Sequence, residues 1–278
     1  MNIKIKYISD LHLEFSSFPT APDELDPHPD EILLVAGDTT LAVTLQEKRT
    51  DGLGRQMQRR FEQFLEGVKD FKEVYMIPGN HEAYMGGDVA SNCGWVNDFI
   101  DRKGFTNVRM VDRARLPLDG KTDLLATTLW TNMDNRNPLV LEYVQNGMND
   151  FRVCYYKGMP FTTTDAADIF DESLAWLKEQ LLDTSKNYVV MTHHLPTFAG
   201  IDPRFKGDTL NFGYASNLDD FIMMHPHITH WVFGHTHYNV DFMVENIRLI
   251  SNCRGYPPGG YDGRHDNWTG YKCRSFEI

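Results

Sequence analysis

Apolar residues along this chain follow two patterns, one typical of buried strands and the other of amphipathic helices. Short runs rich in β-branched residues predict strands over residues 3–9, 32–36, 74–77, 108–111, 124–130, 188–191 and 229–233. Between residues 56 and 71 the apolar positions recur at spacings near three and four, which predicts a helix. Further helices are predicted over residues 89–102, 165–182 and 216–224. This alternation of strands and helices is typical of a layered α/β fold.

The remaining segments predict how these elements are connected. Residues 240–244 and 248–251 predict a hairpin turned by Glu245-Asn246, and residues 18–30 read as a solvated spacer loop. Thr164 or Asp165 is expected to cap the 165–182 helix, and Ser216 or Asn217 the 216–224 helix. Residues 131–164 show no sustained period, so we interpret them as an insertion lying over the functional site. We expect one domain spanning residues 1–278, with two facing mixed sheets flanked by helices.

Five short polar patches follow predicted strands and carry ligand chemistry. They are Asp10-Leu11-His12, Gly37-Asp38, Gly79-Asn80-His81-Glu82, Thr192-His193-His194 and Gly234-His235-Thr236-His237. Because each patch ends a strand, seven oxygen or nitrogen ligands are expected to meet at one sheet edge. Two divalent ions about 3.5–4 Å apart need a bridging carboxylate, and Asp38 is the natural candidate. Imidazoles suit Zn, Fe, Mn or Ni, and the added carboxylate and amide oxygens favour Mn or Fe.

The order Asp-x-His, Gly-Asp, Gly-Asn-His-Glu, His-His and Gly-His-x-His resembles the calcineurin-like metallophosphoesterase superfamily, over residues 8–237. The resemblance implies a four-layer αββα sandwich of two mixed sheets. It also implies two sets of metal ligands, with Asp38 common to both. The first set is Asp10, His12 and His237, and the second is Asn80, His193 and His235.

His81 follows a predicted ligand, so its imidazole is expected beside the metals, facing the leaving-group oxygen. That position suits a general acid or a donor to the transition state, although a packed turn histidine is the simpler alternative. Many protein phosphatases of this superfamily continue as Gly-Asp-x-x-Asp-Arg, which supplies a partner for the acid histidine and a phosphate-binding arginine. Here those positions are Leu41 and Ala42, so protein serine/threonine phosphatase activity loses support.

Arg152 and Arg254 are expected to bind the substrate phosphate through their positive charge, although surface salt bridges are an equal alternative for both. The segments around them look like those of uncharacterised bacterial and phage phosphoesterases. His194 is a candidate to hydrogen-bond the substrate or a nearby carbonyl. Tyr143, Tyr155, Tyr156 and Trp130 suit either base stacking or, more simply, the core of the insertion.

The overall charge narrows the partners. A formal charge of −12 disfavours extended nucleic-acid binding, and no apolar run approaches the roughly 20 residues of a membrane span. The first strand leads straight into Asp10-Leu11-His12, so it is not expected to be a signal peptide. Without that signal we expect a cytoplasmic protein, four free cysteine thiols and an Asn267 sequon that arises by chance.

These observations together predict a dinuclear metal-dependent phosphoesterase. A metal-bridging hydroxide would attack phosphorus, with Asp38 and His81 as the catalytic side chains. A small phosphodiester or nucleotide is the expected substrate, and the oligomeric state is left open. The alternatives are a nuclease or DNA-end-processing phosphodiesterase, and a non-catalytic metal-binding scaffold.

Overall fold

Two mixed β-sheets pack face to face in the computed structural model, which describes residues 3–15, 25–257, 267 and 271–278. The strands are β1 Lys4–Ile8, β2 Ile32–Val35, β3 Glu73–Met76, β4 Val108–Met110, β5 Ala114–Pro117, β6 Thr122–Thr127, β7 Tyr155–Tyr156, β8 Met159–Pro160, β9 Asn187–Thr192, β10 Ile228–Phe233, β11 Asp241–Val244, β12 Ile247–Ser251 and β13 Arg274–Glu277. The helices are α1 Gly52–Val68, α2 Asn92–Lys103, α3 Met133–Arg136, α4 Pro138–Gly147, α5 Asp150–Val153, α6 Thr163–Gln180, α7 Asn211–Tyr214 and α8 Asp219–Met224.

Both sheets have a parallel centre. The first sheet has the order β13-β1-β2-β3-β4, and only β13 runs antiparallel to its neighbour. The second has the order β11-β12-β10-β9-β6-β5, with antiparallel strands at both edges. Since the carboxyl ends of parallel strands share one sheet edge, the loops after β1, β2, β3, β9 and β10 can meet.

Three apolar layers hold the sheets and helices together. Ile5, Leu34, Val189 and Val232 belong to the cluster between the two sheets. A second cluster joins the α1 residues Met57, Phe61, Phe64 and Leu65 to the outer face of the first sheet. A third joins Leu177 of α6 and Ile222 of α8 to Val190 and Trp231 of the second sheet. The predicted four-layer αββα architecture is therefore confirmed.

Residues 131–164 contain more regular structure than their sequence pattern predicted. They form α3, α4, α5 and the β7–β8 hairpin around a cluster that includes Trp130, Val144, Phe151 and Phe161. Tyr156 packs against this cluster, whereas Tyr143 and Tyr155 are exposed. A helical period was not apparent in this part of the sequence because α4 is only 10 residues long and buries only Val140 and Val144.

Several predicted boundaries shift for local backbone reasons. The strand expected to reach residue 130 ends at Thr127, because Leu129 and Trp130 adopt positive φ angles of 73° and 61°. The cap of α6 is Thr162, which forms a reciprocal capping box with Asp165. Helix α8 begins at Asp219, where the Asn217 side chain accepts from the Asp219 N–H at 3.1 Å. The edge strand β5, too short and half-buried to give a pattern, was not predicted.

Some predictions concern parts of the chain that bear less on the site. All four cysteines are free thiols. No helix among the described residues is long and apolar enough to cross a bilayer. Residues 18–24 of the predicted spacer loop, residues 258–266 of the tail, and Trp268 and Thr269 of the sequon lie outside the described residues.

Candidate metal centre

The seven predicted ligands come together at the shared carboxyl edge of the two sheets. They lie in the loops that follow β1, β2, β3, β9 and β10, and six of them are buried; His237 is half-buried. Backbone hydrogen bonds tie these loops to each other. The His12 N–H donates to the Asp38 carbonyl at 2.9 Å, and the Gly234 N–H donates to the His193 carbonyl at 3.1 Å.

Asp10, His12 and His237 form the first group that can hold a metal ion. The Nε2 atoms of His12 and His237 lie 2.9 Å apart, and Asp10 Oδ1 lies 3.4 Å from His237 Nε2. His12 donates through Nδ1 to the Glu14 carboxylate at 3.0 Å, which leaves the lone pair of a neutral ring on Nε2. The arrangement therefore directs three potential donor atoms toward one point.

Asp38, His193 and His235 form the second group. His193 Nδ1 lies 2.8 Å from the Ala36 carbonyl, which can only accept, so a neutral His193 carries its lone pair on Nε2. That nitrogen faces two further acceptors, Asn80 Oδ1 at 3.0 Å and Asp38 Oδ2 at 3.4 Å. His235 Nε2 is buried without a hydrogen-bond partner among the described residues. Converging lone pairs and an unsatisfied buried nitrogen fit a bound cation.

Asp38 lies between the two groups. Its Oδ2 is 3.8 Å from His12 Nε2 and 3.4 Å from His193 Nε2, while its Oδ1 accepts from the His81 backbone N–H at 2.8 Å. Burial opposes ionisation of this carboxyl, yet the neighbouring imidazoles hold its pKa well below the usual range. Asp38 is therefore a buried carboxylate with access to both histidine groups.

Two glycines leave space for the ligands. Gly37 has a φ of +92°, and a Cβ there would lie 2.3 Å from His193 Nδ1. Gly79 has no positive φ, but a Cβ there would lie 2.2 Å from Asp38 Oδ1. Gly37 thus serves both a left-handed turn and a close approach to His193, whereas at Gly79 the requirement is the close approach of Asp38 and His193.

Glu82 ties the Asp38 loop to the Asn80 loop. Its buried carboxylate accepts backbone N–H groups from Asp38, Thr39, Thr40 and Gly79 at 2.6 to 3.2 Å. Burial, together with the charge of Asp38, raises the pKa of Glu82 to about 7. The glutamate of the Gly-Asn-His-Glu patch thus holds the ligand-bearing loops in register.

His81 lies beside the candidate ligands, in contact with polar partners at both ring nitrogens. Nδ1 is 2.7 Å from Glu14 Oε1, and Nε2 is 3.1 Å from the Tyr256 hydroxyl. The ring also stacks on Tyr84 at 4.0 Å. Although burial disfavours the charged form, Asp38 and Glu14 raise the pKa of His81 to about 9. His81 therefore holds a proton readily in the metal-free protein.

A cleft of about 460 Å³ opens onto this cluster. Its floor is formed by Asp38, Asn80, His81, His235 and His237. Its walls include residues from the segments 147–150 and 201–211. Residues 147–150 belong to the 131–164 segment, so that segment contributes part of the cleft wall. Arg204 is the one arginine or lysine among the described residues that line the cleft, and its Nε donates to Asp202 at 2.7 Å. Asp150 and Asp208 also line it.

The three predicted substrate-binding residues are not among those that line this cleft. Arg152 is exposed, and its guanidinium donates to the Asn146 carbonyl. Arg254 is only 2% exposed, so its side chain is buried within the protein. His194 is buried between Trp130 and His235, and burial with the charge of His193 lowers its pKa to about 3. The structure thus places Arg152 on the protein surface and Arg254 and His194 in its interior, with His194 Nδ1 3.4 Å from the Thr128 carbonyl.

Sequence reasoning missed three side chains that complete the site. Glu14 lies two residues beyond His12, and this short spacing was the one available signal. Tyr256 and Arg204 belong to irregular segments with no ligand-like pattern, so only the tertiary structure brings them to the cleft.

Comparison with known proteins identifies relatives over almost the whole chain. The uncharacterized protein L509 of Acanthamoeba polyphaga mimivirus is 23% identical over 277 residues, covering 91% of each chain. The solved structure of phosphopantetheinyl hydrolase from Mycobacterium tuberculosis is similar, with a TM-score of 0.64 and 16% identity over 99% of this chain and 96% of that chain. A dimetal phosphatase from Danio rerio gives a TM-score of 0.50 and 12% identity, covering 90% of this chain and 86% of its own.

The sequence profile described as calcineurin-like phosphoesterase matches residues 3–239, a span that contains all seven predicted ligands. The family membership that the motif order indicated is thereby confirmed. This match and the geometry together support a phosphoester hydrolase with candidate His/Asp metal-binding clusters. The chain belongs to the calcineurin-like phosphoesterase family.

Proposed function

We propose that this protein is a dinuclear metal-dependent phosphoesterase whose substrate is a small phosphodiester or nucleotide. The observation that carries the proposal is the placement of Asp38, whose Oδ2 faces His12 of one candidate group and His193 of the other. Asp10, His12 and His237 would hold one ion, Asn80, His193 and His235 the second, and Asp38 both. The mixed imidazole, carboxylate and amide donors favour manganese or iron.

The chain's own residues supply the rest of the chemistry. Bound divalent ions would lower the pKa of a water molecule and offset negative charge on the phosphoryl oxygens. His81 lies on the cleft floor with Nε2 3.1 Å from the Tyr256 hydroxyl, a placement from which a protonated ring could donate to a departing oxygen. Glu82 keeps the Asp38 and Asn80 loops fixed, which preserves the spacing of the ligands.

The cleft supports a small substrate. A volume of about 460 Å³ suits a ligand of drug-like size. Three aspartates and one aspartate-paired arginine lie on its walls, an unfavourable lining for the repeated phosphates of a polymer. These features favour a small ester over the nuclease alternative.

The decisive experiment measures metal content and turnover in one purified sample. The protein, loaded with Mn²⁺ and dialysed, is assayed with bis-p-nitrophenyl phosphate, p-nitrophenyl phosphate, cyclic nucleotides and single-stranded DNA. We expect about two metal ions per chain and preferential hydrolysis of a small ester. Two bound ions without turnover of any ester would favour the scaffold alternative, and preferential cleavage of DNA would favour the nuclease.

A further inference from the structure

One carboxylate oxygen contacts both a predicted metal ligand and the predicted proton donor. Glu14 Oε1 lies 3.0 Å from His12 Nδ1 and 2.7 Å from His81 Nδ1. The two imidazole rings are 4.4 Å apart between centroids and inclined by 73°. The Glu14 side chain is only 8% exposed, so water competes little for these hydrogen bonds.

These contacts fix which nitrogen of each ring is available for function. An ionised carboxylate can only accept hydrogen bonds, so both Nδ1 atoms must be the donors. In a neutral ring the lone pair then resides on Nε2. For His12 this nitrogen faces His237 and Asp38, and for His81 it faces the Tyr256 hydroxyl on the cleft. Each ring therefore presents Nε2 toward the site.

The backbone that carries the Glu14 carboxylate is itself fixed by hydrogen bonds. The Arg60 guanidinium donates to the carbonyl of Leu13 at 2.6 Å and to that of Glu14 at 3.1 Å. Arg60 lies on α1, which packs against the first sheet through its apolar face. Leu41 and Ala42, where many protein phosphatases of the family carry Asp-Arg, are buried apolar residues here and offer His81 no carboxylate.

We propose that Glu14 is a positioning residue that orients His12 toward the metal site and His81 toward the leaving group. The His81 half of this inference rests on the proposed function, whereas the His12 half concerns metal affinity alone. Because one oxygen serves both rings, a displacement of Glu14 would disturb ligand geometry and proton donation together. Outer partners of metal-binding histidines contribute on the order of 10- to 100-fold in affinity or activity.

The test uses Glu14→Gln and Glu14→Asp in the full chain, with the exposed Glu47→Gln as the matched control. The first readout is Mn²⁺ affinity by equilibrium dialysis against a chelator, which requires no turnover. We expect both Glu14 variants to bind Mn²⁺ roughly 10- to 100-fold more weakly than the wild type, with the control unchanged. Glu14→Asp keeps the charge but shortens the reach, so wild-type affinity in that variant would overturn positioning in favour of a charge effect.

The second readout is the dependence of kcat on the leaving group, measured with p-nitrophenyl, phenyl and alkyl phosphate esters. Glu14→Gln should lose more activity with the alkyl ester than with the p-nitrophenyl ester. In a His81→Ala background it should add no further leaving-group dependence, while the Mn²⁺ defect persists. Unchanged leaving-group dependence in Glu14→Gln would overturn the His81 half. A wild type inactive on every ester would instead refute the proposed function, and the Mn²⁺ measurement would still decide the His12 half.

Discussion

At the scale of single residues, most of the predicted ligands adopt a left-handed backbone conformation that is uncommon for residues other than glycine. Asp10, His12, Asp38, His235 and His237 have φ angles between 48° and 75°. Such left-handed conformations are destabilising by about 1–2 kcal/mol per residue and persist where the surrounding structure enforces them. Here they turn the ligand side chains inward at the strand ends, so the placement of the ligands lowers the stability of the fold.

We predict that Asp38→Asn abolishes turnover and lowers metal occupancy. The amide is neutral, so it cannot bridge two cations, although its oxygen can still accept from the His81 N–H. Elemental analysis after removal of loosely bound ions checks this, with the exposed Asp30→Asn as the control. Full occupancy with normal activity in the Asp38 variant would contradict the bridging role.

His81→Ala should retain the bound metals and lose turnover by a factor on the order of 10²–10⁴. The ring nitrogens of His81 contact Glu14 and Tyr256, neither of which is a predicted ligand. The loss should be smaller for esters with good leaving groups, which need less protonation. Loss of a metal ion from this variant would identify His81 as a ligand.

Metal affinity should increase with pH between 7 and 9. Although burial opposes protonation, Asp38 raises the pKa of His193 in the metal-free protein to about 9, so metal binding must release that proton. The same shift stabilises the metal-free fold fully below pH about 6.5, and this contribution is lost as the pH rises through about 9. Calorimetric titration with Mn²⁺ in two buffers of different ionisation enthalpy measures the released proton. A pH-independent affinity over this window would be inconsistent with the assignment.

At the scale of elements, strand ends were predictable and irregular segments were not. The strands before Asp38 and Asn80 are almost wholly buried, so their sequences are nearly continuous apolar runs, whereas β1 before Asp10 alternates Lys4 and Lys6 with apolar residues. The ligand set was predictable because its residues directly follow these runs. Arg204 could not be placed, because it belongs to a loop whose course depends on tertiary contacts.

The start of α6 offers a direct test of an element boundary. The Thr162 side chain accepts from the Asp165 N–H at 3.2 Å, and the Asp165 carboxylate accepts from the Thr162 N–H at 2.9 Å. Thr162→Ala should therefore lower the free energy of unfolding by about 1 kcal/mol. Thr164→Ala, at the exposed position favoured by the sequence pattern, should change it by less than about 0.5 kcal/mol. Equal losses in urea denaturation would refute the assignment of Thr162 as the cap.

At the scale of the whole molecule, the family fold was predictable because five ordered patches span both sheets, whereas the substrate was not. The ligands sit at the shared edge, but the cleft walls come from residues 147–150 and 201–211, outside every recognised patch. The net charge of −12 and the wall aspartates act on a substrate together, since both repel anions. We therefore expect the charge distribution of the whole molecule, and not one residue, to decide which substrate charge is favoured.

We predict that added negative charge beyond the reacting phosphate slows hydrolysis. The dinucleotide TpT and its doubly phosphorylated form pTpTp contain the same internal diester and differ in two terminal phosphate groups, so cleavage of the internal diester alone is followed. Repulsion by Asp208 and by the negative net charge should lower kcat/KM for the internal diester of pTpTp by on the order of tenfold at low salt, and added salt should narrow the gap by screening. Asp208→Asn should narrow it further, since an amide oxygen can still accept from the Leu210 N–H, whereas the distant Asp30→Asn should not. A preference for pTpTp at every salt concentration would instead indicate a cationic route for nucleic acid and revive the nuclease alternative.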